Sequence, residues 1–238
     1  MNKNFLTTLD CKYQTEIESA YIIVVKDHDI SERMFKRCKE SCDKVKMPCK
    51  RWEAFDGTKG NIVIPDHLLD RHYVKWIKVV NESLAKSEIS VVLSHFSLWC
   101  HCIEIDQPIV ILEHDAIFIQ PCLYHPAFNA ISYLGSIEQI QNNYWGSIPI
   151  LAQLNRNYRF QARSHAYSID PIIARRLVSK IISEGITTSI DVMVRSDIFT
   201  VLQFGIFAYD QADGVSTSPE KDDKTKDERL MRINNKIL

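Results

Sequence analysis

The chain has 238 residues, 45% of them hydrophobic and 25% charged, and its formal net charge at pH 7 is −1. These values are typical of a globular protein that is long enough to form a substantial core. A nearly neutral chain gives no reason to expect electrostatic binding to nucleic acid or to an anionic membrane. Only seven residues are glycine, and neither GxGxxG nor GxxxxGK(S/T) occurs, which argues against a glycine-rich phosphate-binding loop.

The sequence contains no feature that is expected of a secreted or membrane-spanning protein. The first 19 residues lack the apolar centre of a signal peptide, and no segment approaches the roughly 18 continuous apolar residues of a transmembrane helix. The seven cysteines include no CxxC pair, so a zinc ribbon is not indicated and reduced thiols are expected. We therefore predict a cytoplasmic protein without a transmembrane segment.

Predicted strands and helices alternate along the chain. Short apolar runs bounded by polar residues predict strands at residues 21–25, 50–55, 109–112, 131–134, 166–169 and 201–209. Helices are predicted at residues 31–46, from Ser87 through the apolar positions that end at Ile103, and at 171–184. This alternation indicates an α/β fold with a mainly parallel sheet flanked by helices. We assign residues 19–212 to a single domain, with an N-terminal extension at 1–18 and a polar C-terminal tail at 213–238.

Local signals predict the ends of two of these helices. Asp170 followed by Pro171 is a favourable helix start, because aspartate caps the first amide groups and proline suits the first helical position. Gly185 can end the same helix. Ser87 is the predicted N-cap of the preceding helix, whose apolar residues recur with a 3.6-residue period.

Residues 108–116, with the sequence PIVILEHDA, form the most informative pattern. Four large aliphatic residues predict a strand that is buried on both faces, and Glu113, His114 and Asp115 follow it directly. Ligands of open α/β sheets bind beyond the carboxyl ends of such strands. Two acids at this place suit a divalent cation and, through it, a phosphate group. The alternative is a strand that simply enters solvent through polar residues.

Five short blocks of the sequence carry a family resemblance. The blocks are AFDG at 54–57, EISVVLSHFSLW at 88–99, ILEHDA at 111–116, SHAYSI at 164–169 and SID at 189–191. In this order they resemble the FDG turn, the EIGCALSHLSIW helix, the ILEDDA strand end, the THAYLIS segment and the IDxxL block of glycosyltransferase family 25. This family contains the lipopolysaccharide-type and collagen-type galactosyltransferases. The resemblance covers residues 20–195, and its helix and acidic strand end are the specific part.

The resemblance implies a GT-A-like fold and a function. A hexose, with galactose expected, would be transferred with inversion from a UDP-sugar to a glycan or other hydroxyl acceptor in lipopolysaccharide biosynthesis. Mn²⁺ or Mg²⁺ would bridge the diphosphate of the donor. Asp191 is implied as the general base that takes the proton of the acceptor hydroxyl. The residues implied in metal binding are Asp115 and Glu113, and those implied in donor binding are Lys26, Arg33, Asp56, His95 and Glu113.

The sequence departs from the family pattern at two places. His114 replaces the middle acid of the family motif, and an imidazole brings no negative charge to a metal site. The opening strand is followed by Lys26 instead of the family's arginine-rich run, and the next arginine is Arg33.

Alternative interpretations remain for single residues and for the whole chain. Asp56 can serve only its Asp-Gly turn, His95 can be a structural residue of its helix, and Asp191, predicted at a strand edge, can be a capping or ion-pairing residue. The alternative function is a family member that binds nucleotide sugar or glycan without turnover, which His114 favours. A metal-dependent phosphotransferase or nuclease would need further clustered acids and a basic groove, and the sequence shows neither.

Overall fold

Strands and helices alternate through the first half of the chain. The computed structural model describes residues 14–58, 60–71, 76–126, 129–136, 152–153, 164–195 and 198–210. The strands in these residues are β1 Gln14–Glu16, β2 Ala20–Val24, β3 Cys49–Glu53, β4 Ile109–Glu113, β5 Ala116–Phe118, β6 Tyr124–Pro126, β7 Ala130–Ser136, β8 Ala152–Gln153, β9 Ala166–Ile169 and β10 Thr200–Asp210. The helices are α1 Asp29–Lys44, α2 Lys86–Ile105, α3 Pro171–Glu184 and α4 Ile190–Met193, with a short 3-10 helix at Asp66–Leu68.

The central sheet is mixed. Its strand order is β3–β2–β4–β9–β7–β10–β5, and β8 pairs with β10 beside this path. β3, β2 and β4 are parallel neighbours, whereas β9 runs antiparallel to both β4 and β7. β10 is parallel to β7 and antiparallel to β5 and β8. The predicted α/β class is confirmed, but the prediction of a mainly parallel sheet is wrong.

The change of strand direction follows from where the helices occur. Parallel neighbours need a long crossover connection, usually a helix, whereas antiparallel strands do not. α1 joins β2 to β3 and α2 joins β3 to β4, so these three strands are parallel. Between β4 and α3 the described residues contain strands but no helix. The regular alternation that the sequence pattern indicates therefore stops at β4.

β4 lies in the middle of the sheet, and both of its faces are covered. Residues Ile109 to Leu112 are all 0% exposed. Ile109 and Ile111 pack in a cluster with α2 and α3, whereas Val110 and Leu112 pack on the opposite face with residues of α1. This confirms the predicted strand that is buried on both faces, and the alternation directs Glu113 toward the α2 side.

The predicted start and end of α3 are confirmed. Asp170 Oδ1 accepts hydrogen bonds from the amides of Ile172 at 2.7 Å and Ile173 at 2.9 Å, and Pro171 occupies the first helical position. Gly185 follows the helix with φ 76°, a left-handed value that favours glycine.

The predicted N-cap of α2 is wrong. The helix begins at Lys86, so Ala85 occupies the cap position and Ser87 lies in the first turn. The amide of Ala85 donates instead to Glu88 Oε2 at 2.7 Å, so a side chain from inside the helix satisfies this group.

The structure describes part of the predicted N-terminal extension and none of the predicted C-terminal tail. Gln14–Glu16, within the predicted N-terminal extension, pairs as β1 with β6. The predicted tail at 213–238 lies outside the described residues, so the division into domain and tail stays a prediction. In the part of the chain that the structure describes, no helix has both the length and the apolar character needed to cross a membrane.

Replacing Asp170 tests how strongly its side chain holds α3. Asp170→Ala removes both capping bonds and should lower the free energy of unfolding by about 1–2 kcal/mol. Asp170→Asn keeps a capping oxygen and should lose less. Chemical denaturation at pH 7 measures both variants, and equal losses would show that the cap contributes little.

The same residue predicts a dependence of stability on pH. Burial acts to raise the pKa of Asp170, but the hydrogen bond with His125 and the two amides of α3 lower it below its usual 3.8. A folded-state pKa below the unfolded value gives stability that is present above pH 3.8 and is lost as the pH falls below it. Asp170→Asn should therefore flatten the acid limb of a plot of Tm against pH.

Candidate functional site

A cleft opens at the carboxyl ends of β2, β3 and β4, and the N-terminal half of α2 forms its other wall. Residues from each of these elements line it, among them Val25, Gly57, Ser90, Glu113, His114 and Asp115. The carboxyl ends of neighbouring parallel strands are the usual place for a ligand in an α/β sheet. Both acids at the end of β4 therefore lie in a position where they can meet a bound molecule.

Glu113 is the last residue of β4 and is held from two sides. Its Oε1 accepts a hydrogen bond from Ser164 Oγ at 3.1 Å and lies 3.6 Å from His95 Nε2. Its amide donates to the carbonyl oxygen of His165 at 2.9 Å. The Glu113 side chain is 29% exposed, so one carboxylate is both anchored in the protein and open to the cleft.

His95 belongs to a buried chain of aromatic side chains behind Glu113. Trp99 Nε1, which can only donate, bonds to Tyr167 Oη at 2.9 Å, and Tyr167 Oη lies 2.8 Å from His95 Nδ1. The other ring nitrogen of His95, Nε2, faces Glu113. His95 is 0% exposed. Its polar neighbours are Glu113 and Tyr167, at the wall of the cleft, and Trp99 lies in the core.

The charged form of Glu113 is favoured by its neighbours. Burial acts to raise the pKa of Glu113, but the imidazole of His95, followed by His165 and His114, lowers it well below its usual value of 4.5. Glu113 therefore carries its negative charge at neutral pH, as a group that binds a cation requires.

His114 and Asp115 form the turn that follows β4. His114 Nδ1 lies 3.4 Å from Ser31 Oγ, near the start of α1 and away from His95. Burial lowers the pKa of His114, against the charge of Glu113, so the imidazole is neutral at pH 7. Asp115 is half-buried in the cleft wall. The histidine that replaces the expected acid thus contacts α1, while Glu113 contacts α2.

Asp56 lies in a tight turn against α2. Its Oδ1 accepts from the amide of Thr58 at 2.9 Å and from Thr58 Oγ1 at 2.6 Å. A Cβ on Gly57 would lie 2.4 Å from the carbonyl oxygen of Lys86, so only glycine fits between the turn and the helix. Asp56 therefore shapes the cleft wall to which Gly57 and Thr58 contribute.

Ser94 explains why this turn lies where it does. Its Oγ accepts from the amide of Phe55 at 3.0 Å and donates to the carbonyl oxygen of Ser90 at 2.7 Å. Ser94 thus anchors the end of β3 to α2, while its neighbour His95 faces the end of β4.

Asp191 does not lie at a strand edge, and that prediction is wrong. The residue lies in the first turn of α4, a four-residue helix that starts after Ser189. Asp191 Oδ1 accepts a hydrogen bond from the amide of Ser164 at 3.0 Å, and Ser164 in turn bonds to Glu113. Asp191 is therefore joined to the acidic end of β4 through one residue, although it is not among the described residues that line the cleft.

Neither of the two basic residues predicted at the donor site is among the described residues that line the cleft. Lys26 follows the cleft residue Val25 and is exposed, with its Nζ 3.3 Å from Asp66 Oδ2. Arg33 is exposed on α1 and is not among the described residues that line the cleft. A role of either residue in donor binding stays a prediction.

The sequence model of glycosyltransferase family 25 (LPS biosynthesis protein) matches residues 18–147, more than half of the chain. The chain belongs to glycosyltransferase family 25. No similar sequence is found among curated proteins. The match to family 25 includes Asp56, His95, Glu113 and Asp115 and ends before Asp191.

One residue that bonds to the acids of the site has no signal of its own in the sequence. Ser164 was recognised only as part of a family-25-like block, although it bonds to both Glu113 and Asp191. No local signal distinguishes such a serine, because its role depends on contacts between distant segments.

The carboxylates of the cleft can bind a divalent metal only together with oxygen atoms of a bound ligand and of water. Carboxylate oxygens suit Mn²⁺ and Mg²⁺, and Glu113 and Asp115 line the same cleft. Within the described residues, no group of three or more His, Cys, Asp or Glu side chains could hold a metal. Two carboxylates would therefore need diphosphate and water oxygens to complete the shell, as is usual for metals at phosphate sites.

Removing one hydroxyl group tests the buried chain behind Glu113. Tyr167→Phe leaves Trp99 Nε1 and His95 Nδ1 without their shared partner and should lower the free energy of unfolding by about 1–3 kcal/mol. The control is Tyr124→Phe, because Tyr124 is 56% exposed and its change should stay within about 0.5 kcal/mol. Urea denaturation of both variants measures the difference. An equally small loss in Tyr167→Phe would contradict the hydrogen bonds that join Trp99, Tyr167 and His95.

Proposed function

We propose that this member of family 25 transfers a hexose from a UDP-sugar to a hydroxyl group of a glycan or similar acceptor. The observation that carries the proposal is the position of Glu113 and Asp115, which lie at the end of a buried strand and line one cleft. Galactose as the sugar and lipopolysaccharide as the acceptor class are what the family resemblance and its description favour.

The arrangement of the first half of the sheet supports a GT-A-type fold. β3, β2 and β4 form a parallel unit with α1 and α2 as connections, which is the usual frame for a nucleotide at the carboxyl ends of strands. The mixed second half then brings Ser164 and Asp191 to the same end of the sheet. We propose that the parallel unit binds the donor and that the mixed second half holds the base.

The donor would bind with its diphosphate toward Glu113 and Asp115. These two carboxylates would hold Mn²⁺ or Mg²⁺, which would neutralise the charge that develops on the departing UDP. The polar end of β3, with Asp56 fixing Gly57 and Thr58, offers main-chain groups to the same cleft. Lys26, just beyond β2, supplies a positive charge at its margin.

Asp191 is the proposed general base. Its carboxylate would take the proton of the acceptor hydroxyl as that oxygen attacks the anomeric carbon of the sugar. The new glycosidic bond forms while the bond from that carbon to the UDP oxygen breaks, and UDP leaves with the electron pair. Attack from the side opposite UDP inverts the anomeric centre. The main-chain amide of Ser164 fixes one oxygen of this carboxylate, which limits the directions the other can take.

The metal site is tested by removing one carboxylate. Asp115→Ala should weaken Mn²⁺-dependent binding of UDP-galactose by about 10-fold or more, since even residues behind metal ligands contribute 10–100-fold. Titration calorimetry with UDP-galactose, with and without Mn²⁺, measures the effect. Asp43→Ala is the control, because Asp43 is an exposed acid on α1 that pairs with Lys39. Unchanged affinity in Asp115→Ala would remove Asp115 from the donor site.

The base is tested by a change that keeps its shape. Asp191→Asn retains an oxygen for the amide of Ser164 but cannot accept the proton of the acceptor, so transfer should fall by roughly 10²–10⁴-fold while UDP affinity stays near that of the wild type. The measurement is transfer from UDP-galactose to a panel of glycans. A wild-type protein that binds UDP-galactose and transfers to none of them would favour the non-catalytic alternative.

A further inference from the structure

Ser164 lies between the two carboxylates to which the proposed function gives different roles. Its hydroxyl donates to Glu113 Oε1 at 3.1 Å, and its main-chain amide donates to Asp191 Oδ1 at 3.0 Å. One residue therefore uses both of its donors on the two acids, which are 78 positions apart in the sequence.

The surroundings of Ser164 exclude a direct contact with substrate. Ser164 is 1% exposed, so its hydroxyl is reached through Glu113 and not from the cleft. A hydrogen bond to a carboxylate in such a place is stronger than one in water, because the local dielectric is low. Its role would therefore be to fix the acids and not to take part in the reaction.

The register of the sheet makes this link rigid. Ser164 lies two residues before β9, whose Ala166 is opposite Leu112 of β4. The amide of Glu113 also donates to the carbonyl oxygen of His165 at 2.9 Å, so the pairing continues to the last residue of β4. The backbone at Ser164 is thus held against β4 independently of its side chain.

We propose that Ser164 is a positioning residue that fixes the Glu113 carboxylate relative to Asp191. The bound donor and the base thereby keep a fixed relative position. This inference rests on the proposed function for the roles of the two acids. It extends that function by linking the donor-side acid to the base through one buried side chain, outside the segment that the family match covers.

The hydroxyl is tested by binding of UDP-galactose in the presence of Mn²⁺. Ser164→Ala should weaken binding by about 10–100-fold, as expected for a residue that orients a ligand-binding carboxylate. Ser164→Thr keeps the hydroxyl and should restore most of the affinity. The matched control is Ser168→Ala, because Ser168 is also buried in the same segment but bonds to His125 at 2.8 Å.

The main-chain link is tested at Asp191. Asp191→Ala removes the acceptor of the Ser164 amide and should weaken UDP-galactose binding by about 10-fold. Asp191→Asn keeps an oxygen there and should bind like the wild type. If Asp191 is not linked to the donor side, both variants should bind UDP-galactose like the wild type. That result would overturn the proposed positioning role.

A measurement without any ligand separates this inference from the proposed function. The losses of Tm in Ser164→Ala and Glu113→Gln should be non-additive in the double variant, whereas Ser168→Ala and Glu113→Gln should add. Additive losses for the first pair, or unchanged donor affinity in Ser164→Ala, would overturn the positioning role. A wild-type protein that binds no UDP-galactose while the first pair stays non-additive would support the link from Ser164 to Glu113 and overturn the proposed function.

Discussion

The complete burial of β4 is the constraint on which the site depends. With β2 on one side, β9 on the other and apolar residues packed on both faces, the strand has one position in the sheet. The polar residues that follow it are therefore delivered to a fixed place. Glu113 faces α2 and His114 faces α1 because the strand alternates, and a shift of one residue would exchange them.

α2 fixes the end of β4 relative to the turn that follows β3. Two consecutive residues on one helix point in directions about 100° apart, so they can hold different neighbours. Ser94 bonds to the amide that follows β3, while His95 faces the acid at the end of β4. Two adjacent residues of this buried helix thereby set the distance between the Asp-Gly turn and the acidic turn. This is consistent with the specific resemblance of the helix to family 25.

The sequence predicted elements whose signals are local. The apolar run of β4, the cap and proline of α3 and its final glycine each act over a few residues, and the structure confirms them. The direction of β9 could not be predicted, since it depends on pairing between residues that are 54 to 60 positions apart. The same reason applies to Ser164, whose partners are distant, and to Asp191, whose short helix has no periodic pattern to indicate it. The prediction of the N-cap of α2 was wrong because the helix begins at Lys86, before Ser87, with the amide of the cap residue Ala85 bonded to Glu88.

The antiparallel pairing of β9 with β4 also limits how this protein can be divided. A fragment that ended with the family match at residue 147 would keep β2, β4 and α2 but lose the four residue pairs that cover the other side of β4. One edge of a strand with four consecutive aliphatic residues would then be open to pairing with another chain, which is a recognised cause of aggregation. The smallest unit that can carry this cleft in isolation must therefore extend at least through β9, and its acidic turn cannot be transplanted as a local motif.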